Sequence, residues 1–319
     1  MIDFSYLERG WTALAKAHPA GSMAGHLGAG VLAGYYFGEL NPDLDPAVFG
    51  FVTADLDRII DGEEAIWFNP KKSGITITEM FTAQGADDPP LSAAEASSQI
   101  AAELVGTMDS LRQSGHNVIF GSLALRALAD HPDLATQSTV DGVVRLMKQF
   151  RGARPGRGNY GKEEGWKMGE TVDISEVAIP DYDTLVETAE VTIDELIHTA
   201  HFRTQGYGGL FHLLDHAAAL IECWEHGFPE LAFAGIPAHR EHVKYLRTLP
   251  DLEAELGPLE KSSLYPTDPE YWARQESAQW SAWLTHRIKS LYGFSVVSAM
   301  IEDEEKVRKA KDALRFMMA

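Results

Sequence analysis

A single cysteine, Cys223, occurs in the 319 residues, so no disulfide can form within the chain. Set in an apolar run from Ala217 to Trp224, it reads as a small buried hydrophobe. Neither paired CxxC segments nor HExxH is present, which leaves zinc-finger and zinc-protease readings without support. The paired ExxH segments of ferritin-like di-iron bundles are missing too. No GxGxxG lies between a strand and a helix and there is no GxSxG elbow, so a dinucleotide fold and a hydrolase triad lack their anchors. Basic residues are scarce. Against 47 Asp and Glu there are 27 Lys and Arg, and the resulting formal charge of −20 repels nucleic acid and anionic lipid. The most apolar run, residues 23–37, is too short to span a bilayer. Asp3 stands where a secretion signal needs a basic segment, so a cytoplasmic protein without a nucleic-acid or membrane partner is expected.

What is present is enough for a core: 45% of residues are hydrophobic and 23% charged, close to the globular average. Apolar residues recur at three- and four-residue spacing through most of the chain, which predicts an all-α fold in one domain over residues 1–319. Ser92 with Glu95, Thr192 with Glu195 and Asp268-Pro269 mark helix starts near 92, 193 and 269. The best strand-like alternation is Ile75-Thr76-Ile77-Thr78. Segments 68–90 and 151–180, rich in Gly, Pro and charge, read as two long surface loops. The second gathers Arg151, Arg154, Arg157 and Lys162 and could close over an anionic or aromatic ligand.

An internal similarity bears on function. Gly25-His26 followed by Asn41-Pro42-Asp43-Leu44 recurs as Gly115-His116 followed by His131-Pro132-Asp133-Leu134, with a looser copy at Phe211-His212 and Phe228-Pro229-Glu230-Leu231. Repeated helix hairpins, stacked as a bundle or toroid, would bring the leading histidines to similar positions. Further histidines pair at helical spacing: His198 with His201, His212 with His216, His239 with His242. Imidazole is a common ligand for zinc, copper and iron, so several histidines facing inward point to a metal. A core imidazole satisfied by hydrogen bonds is the plainer reading for any one of them. Solvent exposure is the plainer reading for His239 and His242, and a surface or capping place for His18, His131, His226 and His286.

The order of these segments resembles the questin oxidase-like family. The stretches that carry the resemblance are Ala24-Gly25-His26, His116-Asn117-Val118-Ile119 running to Arg126-Ala127-Leu128, Phe211-His212 running to Ala217-Ala218-Ala219-Leu220, and His239-Arg240-Glu241-His242-Val243-Lys244. The resemblance implies O₂-dependent chemistry on aromatic, polyketide-like small molecules. It also implies non-haem iron, or another divalent ion, on several histidines and a carboxylated lysine. Carried onto this chain, the ligands are His26, His116, His212 and His242, with Lys244 as the lysine. The chain departs from the pattern at three places: Gly25 replaces an Asn, Leu123 stands where a second histidine is expected, and Lys244 follows His242 by two residues rather than three. Two other classes fit the same residues: a metal-independent helical enzyme using histidine as acid and base, and a non-catalytic helical-repeat binding protein.

Overall fold

The computed structural model describes residues 1–83, 88–273 and 281–319. Eleven helices of twelve or more residues make up most of the described chain: α1 Phe4–Ala15, α2 Gly25–Leu40, α3 Pro46–Ile60, α4 Ala93–Val105, α5 His116–Asp130, α6 Gln137–Lys148, α7 Leu185–Thr199, α8 Gly209–Glu225, α9 Ile236–Arg247, α10 Trp283–Ala299 and α11 Glu304–Met317. The all-α class expected from the periodicity is the one adopted. Among the described residues the only sheet is an antiparallel pair, Arg157–Asn159 with Trp166–Met168.

Four helices form the inside. α2 packs on α5 and α10, and α8 packs on the same two, which closes a ring α2–α5–α8–α10. α2 is buried on every side from Gly25 to Gly38, as a helix apolar all round must be. The outer helices are amphipathic covers: α6, for example, turns Val140, Val143, Leu146 and Met147 inward. One continuous cluster of buried apolar side chains runs from Ile2 to Met318.

α1 lies on α2 at very short range because neither helix carries a side chain at the crossing. A Cβ on Gly28 would stand 2.4 Å from the Leu14 nitrogen and 2.7 Å from the Gly10 oxygen. These are backbone atoms and cannot step aside.

Three expectations about boundaries change. The helix expected near 193 begins at Thr184, whose side chain and that of Glu187 form the capping box. Thr192 sits mid-helix and returns its hydroxyl to the Thr188 carbonyl at 2.7 Å. Thr76 caps a short helix, Ile77–Phe81, instead of joining a strand, because Glu79 completes its box while Met80 and Phe81 supply a buried apolar face. The segment 151–180 carries the hairpin, and three of its basic residues are engaged by the protein itself: Arg151 with Glu103, Arg154 with Glu170 and Arg157 over the Trp166 ring. Helices do begin at Ala93 behind Ser92 and at Pro269 behind Asp268.

Gly28→Ala should destabilise the fold by about 1–3 kcal/mol through overpacking at the crossing, read as a lower midpoint in urea unfolding. An unchanged midpoint would mean that the two helices separate freely.

Candidate metal centre

The N-termini of the four inner helices converge, and each brings a histidine in its first turn: His26 on α2, His116 on α5, His212 on α8 and His286 on α10. His26 Nε2 lies 2.9 Å from His116 Nε2, and His212 Nε2 lies 2.7 Å from His286 Nε2. The His116 and His212 ring centres are 4.3 Å apart. Ligand atoms of His26, His116 and His212 all fall within 4.8 Å of one another, and the three side chains are buried.

The tautomers follow from the backbone. His26 Nδ1 faces the Met23 carbonyl at 2.8 Å, His286 Nδ1 faces the Ala282 carbonyl at 2.6 Å, and His116 Nδ1 bonds the Gln113 carbonyl. A carbonyl only accepts, so each of these nitrogens donates, and in the neutral ring Nε2 is left with a bare lone pair. His26 and His116 therefore point two lone pairs at each other across 2.9 Å. Adjacent nitrogens on one metal ion, at metal–nitrogen distances of about 2.0–2.1 Å, stand roughly 2.8–3.4 Å apart. The donor set fits a cation between the rings.

Local backbone explains how the rings reach this point. Ahead of α5 the chain turns through three left-handed residues, Gln113 (φ 42°), Ser114 (φ 58°) and Gly115 (φ 86°). This turn is held by Gln113 N–H on the Arg154 carbonyl and Ser114 N–H on the Pro155 carbonyl, at 2.7 and 2.8 Å. Ahead of α8 a similar run passes through Tyr207 (φ 47°) and Gly208 (φ 74°). Only glycine suits Gly208, because a Cβ there would lie 2.2 Å from His212 Cγ. Trp67 lies flat on His26, 3.7 Å between ring centres with an interplanar angle of 3°. Its Nε1 donates to Glu64 and Thr285 at 3.1 and 3.2 Å. Buried Glu64 also accepts the Leu284 and Thr285 N–H groups at 2.6 and 3.2 Å, so one carboxylate fixes both Trp67 and the start of α10.

Electrostatics keep the imidazoles neutral. Burial first, then neighbouring histidines and Lys289, hold His26, His116 and His212 well below the usual histidine range. His286 is held down to about 3, by burial and then Lys289. Convergent helix N-termini act in the same direction. Lys289 itself is buried and meets Asp215 at 3.1 Å. Burial raises the Asp215 carboxyl to about 6 despite that lysine, and its Oδ1 has no hydrogen-bond partner. Farther along the interior, Arg126 joins Glu222 at 2.7 Å and Tyr292 at 3.3 Å.

Of the residues expected from the sequence, His26, His116 and His212 come together; His242 and Lys244 do not join them. His242 is buried on α9, where its Nε2 donates to the Tyr207 carbonyl at 2.8 Å and its Nδ1 lies 3.3 Å from His216 Nδ1. It clamps the turn that presents His212. His239 is likewise buried, not exposed, between Tyr182 Oη at 2.8 Å and Thr192 Oγ1 at 3.1 Å. An apolar face recurs on α9 beneath its polar residues, which explains why polar neighbours misled. Lys244 is only partly buried, and His198 and His201 are exposed. His286, expected as a surface or capping residue, is the fourth ring of the cluster, its Nε2 2.7 Å from that of His212. Its helix starts with neither glycine nor a side-chain cap, so nothing local marked it.

No family model, no curated protein and no solved structure matches this chain.

The depressed imidazoles set an acid limit. His239 and His242 are held down to about 3 and about 4, mainly by burial, and His216 well below its usual range. Below pH 6.5 the unfolded chain takes up protons that these rings and the four of the cluster refuse, so stability falls as pH falls from about 6.5 toward 4. Buried carboxyls with raised values, Asp215, Glu64 and Glu222, oppose this but are fewer. Urea unfolding of metal-free protein at pH 7, 6 and 5 should show the midpoint dropping at each step; a flat profile would contradict neutral burial.

Proposed function

We propose that the protein is an O₂-dependent oxidoreductase in which His26, His116, His212 and His286 hold a non-haem metal ion, iron before other divalent ions. The observation that carries this reading is the pair of Nε2 lone pairs facing each other across 2.9 Å with both Nδ1 protons committed to carbonyls. A hydrogen bond there would need an imidazolium, which burial opposes. An all-imidazole set suits a transition metal rather than calcium or magnesium.

A bound iron ion would supply the one-electron chemistry that O₂ requires. The chain's own residues do the rest. Carbonyls of Met23, Gln113 and Ala282 fix ring orientation, as outer partners of metal-binding histidines commonly do. Trp67, Phe120 and Phe211 pack their rings against the cluster and exclude water. The lysine that the family resemblance requires is met better by Lys289 than by Lys244: it is buried, it follows His286 by three residues, and its charge acts on all four imidazoles. A metal-independent acid–base role for the histidines fits less well, because rings held so far below neutrality are weak bases near pH 7.

Metal analysis of untagged protein made in iron-supplemented medium tests the reading. We expect close to one ion per chain, lost in a His26→Ala/His116→Ala double variant and retained when the exposed His198 is replaced by Ala, with metal-dependent oxygen uptake when aromatic small molecules are added. Wild-type protein without metal, or a His26→Ala/His116→Ala variant that keeps it, would overturn the assignment.

A further inference from the structure

Two surface clefts approach the cluster, each separated from it by one aromatic ring. The first, beside residues 20–24 and 66–72, ends on Trp67. That ring is pinned by Glu64 and Thr285, which makes it a sealed wall. The second lies among the end of α7, the start of α8, residues 258–260 and the C-terminal residues, with a volume of about 580 Å³, within the range of small-molecule sites. Phe202, Leu210, Phe211, Leu259, Trp283 and Phe316 give it an apolar lining. Phe211 meets Trp283 at 6.3 Å and His286 at 5.9 Å between ring centres, both edge to face. Phe211 follows the left-handed turn at 207–209.

One polar group in this cleft has unspent charge. Arg203 is partly buried, and among the described residues no carboxylate pairs with its guanidinium; Asp251 accepts only its backbone N–H, at 3.0 Å. By contrast Arg126, Arg247 and Arg287 are each locked to a carboxylate. The one acidic side chain on the lining, Glu260, is exposed. α8 opens on the same space with no side-chain cap. In a chain of charge −20, a guanidinium without a carboxylate partner on the lining of a largely apolar cleft is a place for an anion.

We propose that this cleft binds an apolar small molecule ending in one carboxylate, its body against Phe211 and Trp283 and its carboxylate on Arg203. The ligand's role as substrate of the histidine cluster rests on the function proposed above; its binding does not require the metal.

Calorimetric titration of the full-length protein, metal-free and iron-loaded, with decanoate and with the uncharged decanol tests this. Decanoate should bind at least about tenfold tighter than decanol, the worth of one charge-assisted contact. Arg203→Gln should remove that margin without altering decanol binding or metal content, and Trp283→Ala should weaken both ligands. Equal affinity for the two, no binding of either, or an Arg203→Gln variant indistinguishable from wild type would overturn the proposal. Arg203-dependent decanoate binding by a protein that takes up no metal would leave the cleft standing and remove the oxygenase reading; a metal-loaded protein indifferent to decanoate would do the reverse.

Discussion

Each ring of the cluster except His212 gives its Nδ1 proton to a carbonyl at the entrance of its own helix, and much of the interior serves that arrangement. The bond turns a histidine from a two-faced polar group into a directed donor, since only Nε2 remains and its direction is that of the helix start. Four helix starts must then meet at one point. The closed ring of α2, α5, α8 and α10 brings this about, and the close crossing of α1 on α2 holds one member of the ring in place. His212 is the exception, with its Nδ1 buried and unpartnered. It is placed by the glycine beneath it and by the His242 clamp on the preceding turn.

Charge is arranged in shells. The exterior carries most of the acid, while the centre holds neutral imidazoles and a few tightly paired ions, Asp215 with Lys289 and Glu222 with Arg126. Desolvating such pairs is costly, and packing alone would be served as well by apolar side chains. Asp215 and Lys289 stand one helical turn beyond His212 and His286, which ties that pair to the cluster rather than to general stability.

Much of this was legible in the sequence. Helical periodicity gave the fold class, and the recurrence of Gly25-His26 and Gly115-His116 picked out two helix starts that do meet, with His212 as a weaker third. What could not be read was burial that depends on tertiary contacts. His242 and His239 sit among Arg240, Glu241 and Lys244, whose polarity masks the apolar face, Ile236 and Val243, that α9 rolls inward with them. His286 escaped because α10 begins without Gly, Pro or a side-chain cap; its N–H groups are satisfied by Glu64, distant in sequence. Thr192 and Thr184 offer the same capping pattern eight residues apart, and the choice between them belongs to the core under α7.

Trp67 gives the site an optical handle. An indole stacked face to face on His26 shares its electronic environment with whatever His26 binds. Because Glu64 and Thr285 hold the ring still, its emission would respond to occupancy of the site more than to motion of the loop. One of the chain's seven tryptophans thus lies against the cluster, where an ion held by His26 would quench it.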